Sequence, residues 1–153
     1  MARLVIFSAV LSSLLALAIA SASAPFSIVA YLPEWRYEGA NLNKIFEHCS
    51  HLLLFSLEPR PNGEIGALDR LPRPELLRDA QVAAEAQGGE LLICFGGNGR
   101  SSGFSGMVRS DKARRRFVKS LVRLCDKHGL HGVDYNWEYP VRVPPLGINF
   151  RLF

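Results

Sequence analysis

Cysteine is scarce in this 153-residue sequence: there are three, Cys49, Cys94 and Cys125, far apart in the chain. No C-x-x-C pair and no His/Cys spacing suited to a metal occurs, so neither a metal nor any other cofactor is called for. Three is an odd count, which leaves at least one thiol unpaired. Cys94 lies inside an apolar run and reads as a small buried hydrophobe. A Cys49–Cys125 bridge is left open. Charge bias is also slight. There are 18 Lys+Arg against 14 Asp+Glu, a net +4, or 17 − 14 = +3 without Arg3. So weak an excess gives no argument for a nucleic-acid partner. The densest basic cluster, Arg114-Arg115-Arg116, falls in a helical pattern and reads as a solvated helix face. Beyond the N-terminus, no segment is apolar enough to span a membrane. What is present is a composition able to bury a core: 48% hydrophobic and 21% charged, enough for one domain of ordinary size.

The N-terminal "MARLVIFSAVLSSLLALAIASASA" has a basic residue, an apolar run and then small residues. That is the pattern of a secretory signal peptide, with a cleavage motif at Ala20-Ser21-Ala22. The expected layout is a leader over 1–22, a domain over 25–140 and an irregular tail over 141–153. The mature protein is expected to be secreted, with no stable membrane anchor.

After the leader, strands and helices alternate. "FSIVAYL" (26–32) is a first predicted strand, and "NLNKIFEHC" (41–49) a short helix capped by Asn41. "HLLLFSLEP" (51–59) is a second, buried strand, followed by turn residues in "RPNGEIG" (60–66). Residues 73–87 fit a helix with Leu77, Ala80 and Ala84 on one face and Pro74 near its start. "ELLICF" (90–95) is a third strand, and "GGNGRSSGFSGM" (96–107) reads as a Gly/Ser-rich loop. A further helix starts at the cap Ser110, stops at Gly129 and repeats Ala113, Phe117, Leu121 and Leu124 at helical spacing. "GVDYNW" (132–137) is a fourth strand. Strands separated by helices imply an α/β fold with a parallel sheet of βα units.

The stretch "HGVDYNWEYP" (131–140) carries the chemistry. Residues two apart in a strand share a face. Asp134, Asn136 and Glu138 therefore point one way, and Val133, Tyr135 and Trp137 the other. A polar row on a buried strand is costly unless its members bond one another. Glu138 comes last, at the strand's C-terminal end, where parallel α/β folds place their active sites. An apolar setting beside an aspartate would favour its acid form, suited to general acid catalysis. Gly97 and Gly99 match the first two glycines of G-x-G-x-x-G, but Ser102 takes the third place and no G-K-S/T follows. Glycines that let a ligand approach the backbone fit this loop better than a nucleotide cradle. Tyr31, Trp35, Phe55 and Phe95 stand at or near the C-terminal ends of the first three strands. Phe55 and Phe95 read equally well as core. Trp35, in a loop, suits a stacking platform, and flat sugar faces are one class of ligand for such rings.

These residues carry a resemblance to a family. "HGVDYNWEYP" resembles the strand-four signature of glycoside hydrolase family 18, the chitinases and chitinase-like proteins, which reads D-G-x-D-x-D-W-E-Y-P. Gly132, Asp134, Trp137, Glu138, Tyr139 and Pro140 match; His131 and Asn136 depart. "VAYLPEW", "LLLFSLEP" and "LLICFGG" are similar to the family's first three strands, so the resemblance covers residues 26–140. It implies about half of a (β/α)₈ barrel and hydrolysis of β-1,4-linked N-acetylglucosamine polymers by a substrate-assisted, retaining route. Glu138 would be the general acid/base. Asn136 would hold the acetamide-orienting position, and Asp134 would support it. Tyr31, Trp35, Phe55, Gly96, Gly97 and Trp137 would line the sugar subsites, with chitin or its oligosaccharides as partner. His131 would be structural.

Two departures shape the expectation. Asn136 can accept a hydrogen bond but supplies no negative charge, a loss worth about 3 kcal/mol or roughly a hundredfold in rate. A complete barrel needs about 200 residues or more, whereas roughly 130 follow the leader. The family's later tyrosine and floor tryptophan have no counterpart. The sequence is thus expected to be a truncated gene model, a splice variant or the product of a retained intron, with self-association through exposed barrel edges. Two alternatives to an enzyme stay open: a non-catalytic chitin-binding lectin, and a product without function of its own.

Overall fold

A computed structural model describes residues 26–140. The predicted leader and the tail after Pro140 lie outside the described residues. Strand β1 (Val29–Pro33) leads to helix α1 (Leu42–Phe46), strand β2 (His51–Pro59) and the two-residue strand β3 (Ile65–Gly66). Helix α2 (Pro74–Gln87), strand β4 (Glu90–Gly96), helices α3 (Ser102–Val108) and α4 (Asp111–His128), and strand β5 (Gly132–Asn136) follow. The long strands pair in parallel in the order β1-β2-β4-β5, and β3 pairs antiparallel with the end of β2. This is the predicted run of βα units.

Local chemistry fixes most boundaries. The Asn41 side chain accepts the N–H of Lys44 and caps α1; Ser110 does the same for Ala113 in α4. Gly88 and Gly129 end α2 and α4 in left-handed conformations. On the helix-facing side of the sheet, Leu52, Leu54, Leu57, Leu91, Ile93 and Phe95 pack against Leu77, Ala80, Ala84, Phe117 and Leu121. Phe95 is fully buried and meets Phe117 edge to face at 5.2 Å. Phe95 therefore belongs to the core.

The structure corrects three expectations. First, β1 begins at Val29 and not at Phe26. Second, the turn after β2 contains β3. Its hairpin is tight: the Gly63 N–H donates to the Arg60 carbonyl, and a Cβ on Gly63 would stand 2.1 Å from the Ala113 carbonyl oxygen. Third, the second half of the predicted Gly/Ser loop is helix α3. Its glycines give close approach and not looseness. A Cβ on Gly103 would stand 1.7 Å from the Pro59 carbonyl oxygen, and one on Gly106 2.7 Å from Pro61. On the bridge left open by the sequence, all three cysteines are free and Cys49 and Cys125 are not joined. The Arg114–Arg116 cluster does lie on the exposed face of α4, where Arg114 pairs with Asp111 and Arg116 with Glu64.

The packing of α3 on the end of β2 gives a prediction. Gly103→Ala should destabilise the protein by about 2 kcal/mol or more, whereas Ser102→Ala, on the exposed side, should stay within about 0.5 kcal/mol. Thermal and denaturant unfolding of the two variants checks this.

Candidate active site

The strand register sets the site. Parallel neighbours Cys94 and Asp134, and Gly96 and Asn136, stand side by side on β4 and β5. Tyr31 pairs with Leu53, and Leu53 with Leu92. Side chains of paired residues share a face, so Tyr31, Leu53, Cys94, Asp134 and Asn136 all look away from the helices. Tyr31 confirms this directly: its hydroxyl donates to Asp134 Oδ2 at 3.0 Å, across the width of the sheet. One member of the polar row, Asp134, therefore bonds to a group on the opposite strand, which lessens its cost.

Charge is concentrated here. Half of the Tyr31 surface is exposed, but partial burial of its hydroxyl, and then the hydrogen bond and charge of Asp134, push its pKa up to about 12; the charge of Glu138 is felt there too. The Cys94 thiol, fully buried, is pushed up by burial first and by Asp134 second. Tyr31, Asp134 and Glu138 thus form one electrostatic neighbourhood, with Cys94 beneath it.

Strand β5 ends at Asn136, and the chain then turns, with the Trp137 N–H donating to the Tyr135 carbonyl. Glu138 stands just past the strand and is half-buried. The glycine pair and Ser101 hold it there. Gly97 N–H donates to the Asn136 carbonyl at 2.6 Å. Ser101, itself buried, shares its hydroxyl proton between the carbonyls of Gly97 and Asn136 at 3.0 and 3.1 Å, and accepts the Glu138 N–H at 3.1 Å. Both glycines have positive φ, and a Cβ on Gly96 would stand 2.3 Å from the Asn136 carbonyl oxygen. On Gly97 it would strike the Phe55 ring at 2.5 Å and lie 3.6 Å from Asn136 Nδ2. Gly96 and Gly97 thus serve as close-approach glycines next to Asn136.

An aromatic wall completes the site. Phe55 meets Tyr31 edge-on at 5.9 Å and Trp35 edge-on at 6.5 Å. Trp35 is 63% exposed. The structure brings eight of the nine predicted site residues together: Tyr31, Trp35, Phe55, Gly96, Gly97, Asp134, Asn136 and Glu138. Trp137 is the exception. It stacks on Phe104 at 5.1 Å with the rings 20° apart, on the side of Tyr135 and the core. Strand alternation, which already set Trp137 opposite Asp134 and Asn136, decides its place. His131 sits at the far edge of the sheet, where its Nδ1 accepts the Leu91 N–H.

Sequence reasoning missed four contributors. Arg100 makes a two-pronged bond to Glu34, at 2.6 and 3.2 Å, and donates to Ser56 Oγ at 3.1 Å; Ser56 in turn donates to the Gly96 carbonyl at 2.7 Å. Ser101 is the fourth. Burial alone would raise the pKa of Glu34, but Arg100, helped by Arg70, outweighs it and holds the carboxyl below its usual range. No periodicity marks these residues. For Arg100, Ser101 and Glu34 the one signal available was position, just after a glycine pair or just after the first strand; Ser56 lies within β2.

Three outcomes are expected. Asp134→Asn should lower the Tyr31 phenol pKa from about 12 part of the way to its ordinary value, since burial remains; ultraviolet titration of the variant against the parent reads this. Ser101→Ala should cost about 1–2 kcal/mol in unfolding experiments, because it strips a partner from three groups at the strand ends. Glu34 has a depressed folded pKa, so the stability it contributes is present at neutral pH and lost as pH falls below its unfolded value of 4.5. The melting temperature of the parent should therefore fall more steeply below that pH than that of Glu34→Gln.

The comparisons with known proteins agree with this geometry. The sequence is 26% identical over 126 residues to Probable chitinase 10 of Drosophila melanogaster, covering 76% of this chain and 6% of that protein. It is 27% identical over 150 residues to an endochitinase of Manduca sexta, covering 86% of this chain and 26% of the other. Among solved structures, a double mutant of the GH18 chitinase of Cycas revoluta in complex with (GlcNAc)4 matches with a TM-score of 0.62 and 25% identity, over 76% of this chain and 35% of that one. The chain thus spans about a quarter or less of these curated relatives and about a third of the solved chitinase. Its parallel βα units correspond to part of a TIM barrel. The family description that matches residues 27–149 is Glycosyl hydrolases family 18, and the chain belongs to that family.

Proposed function

We propose that the C-terminal edge of this sheet binds β-1,4-linked N-acetylglucosamine chains and contributes the acid of a substrate-assisted glycosidase. The observation that carries the reading is the convergence of Tyr31, Asp134, Asn136 and Glu138 on one face, beside an exposed aromatic wall. The likeness to a chitinase solved with (GlcNAc)4 supports the choice of ligand.

Glu138 would give its proton to the glycosidic oxygen. The acetamide oxygen of the substrate would attack the anomeric carbon as the leaving sugar departs, forming an oxazolinium ion. Glu138, now a carboxylate, would take a proton from water as that water opens the oxazolinium with net retention. Asn136 would orient the acetamide by accepting its N–H. Asp134, held by Tyr31, would supply the nearest fixed negative charge. The N-terminal leader pattern supports placing this work outside the cell.

A second reading has one specific observation in its favour. The neutral carboxamide of Asn136 stands beside Gly97 where the family signature has a carboxylate. A chain that binds sugar without cleaving it would fit that substitution.

Reducing-end release from (GlcNAc)4, with binding measured in parallel, separates the two. On the enzyme reading, Glu138→Gln abolishes hydrolysis while binding persists, and Asn136→Asp raises the rate about a hundredfold. Binding by the parent with no release from either the parent or Asn136→Asp would select the lectin reading.

A further inference from the structure

We infer that Arg100 is a positioning residue that fixes Trp35 and Phe55 as a preformed stacking platform for a sugar ring, with Glu34 as the anchor that fixes Arg100. The inference rests on the sugar-binding reading above and adds a residue and a device to it.

Arg100 lies between three elements. Its guanidinium carbon stands 5.7 Å from the centre of the Trp35 ring and 5.3 Å from that of Phe55. Its nitrogens are committed to both oxygens of Glu34 and to Ser56. Its side chain is 18% exposed and that of Glu34 21%. Arg70 reinforces the anchor, 3.9 Å from Glu34 and 2.7 Å from Glu58.

This arrangement is costly for mere knitting of loops. A half-hidden ion pair must offset its desolvation, and a planar fork held at both carboxylate oxygens has little freedom left. What it gains is rigidity for an indole that is otherwise exposed. Trp35 follows the anchor Glu34 directly in sequence, within a short 3₁₀ turn (Glu34–Arg36). Its neighbours on the wall are an edge-on contact to Phe55 and the cation of Arg100. A ring ordered before the sugar arrives loses less entropy on binding, so the clamp converts into affinity. Both terminal nitrogens of the guanidinium bond to Glu34 or Ser56, and its carbon lies over the two rings, so the role assigned to it is exerted through them.

The test uses the indole N–H resonance of Trp35 in the whole chain, assigned by its loss in Trp35→Phe, and titration with (GlcNAc)4. The expected result is that Arg100→Met lowers the heteronuclear NOE of that indole and weakens (GlcNAc)4 binding about tenfold. The loss in affinity should be clearly smaller in a Trp35→Ala background, since much of it is transmitted through that ring. Arg100→Lys keeps the charge but not the fork and should recover little. Glu34→Gln carries the same test, with a smaller effect, should Arg100→Met fail to fold. Parent-like binding by the folded variants, or an equal loss with and without Trp35, overturns the inference while leaving the sugar site standing. No binding by the parent itself removes the sugar-site reading, and the role given to Arg100 with it.

Discussion

The close approach of β4 and β5 at Gly96–Gly97 is the contact on which the site depends. The Gly97 N–H and the Ser101 hydroxyl both reach the Asn136 carbonyl, and the same hydroxyl receives the Glu138 N–H. A side chain at either glycine would drive the strands apart by colliding with Asn136 or Phe55. The carboxyl that matters most stands beyond the last strand residue, where a sheet gives no support. Here a loop hydroxyl and two residues without side chains supply it. Catalytic geometry at a strand end is set by what lies beside the strand as much as by the strand itself.

Electrostatics divides the same edge into two parts. Over β4 and β5, acidic groups gather: Asp134 is held by the Tyr31 hydroxyl, which also feels the charge of Glu138. Over β1 and β2, opposite charges neutralise each other: Glu34 and Glu58 against Arg70 and Arg100. The first region suits proton transfer and a developing positive charge on a sugar ring. The second pairs these four charges with one another and presents flat aromatic surface. A polar, uncharged polysaccharide with apolar ring faces suits that division. Asn136, like His131, is a position at which the family signature and this chain part. It preserves a hydrogen-bond acceptor where the signature has a carboxylate.

Much of this was legible in the sequence, for reasons that differ by element. The second strand, read as 51–59, is β2 to the residue, because an unbroken apolar run met the turn residues Pro61-Asn62-Gly63. Helix α4 was marked at both ends by Ser110 and Gly129. The polar row came from period-two alternation at 134, 136 and 138. Helix α3 was misread because glycine there signals contact with Pro59 and Pro61, a tertiary cause that composition cannot express. Arg100 and Glu34 are 66 residues apart in sequence and meet only in the fold. Trp137 was assigned to the sugar face through its place in a signature, although the alternation that located Asp134 already set it on the other side, where Phe104 covers it.

The central claim is that one edge and one face of this sheet form a sugar site. The most direct measurement is a titration of the isotope-labelled chain with (GlcNAc)4, followed by amide and indole chemical shifts. The account predicts saturable shifts at Trp35, Gly97, Asn136 and Glu138, with none at Ser50, His51 or His131 on the opposite edge. Shifts at the opposite edge, or none at the glycine pair while binding is saturated, would contradict it.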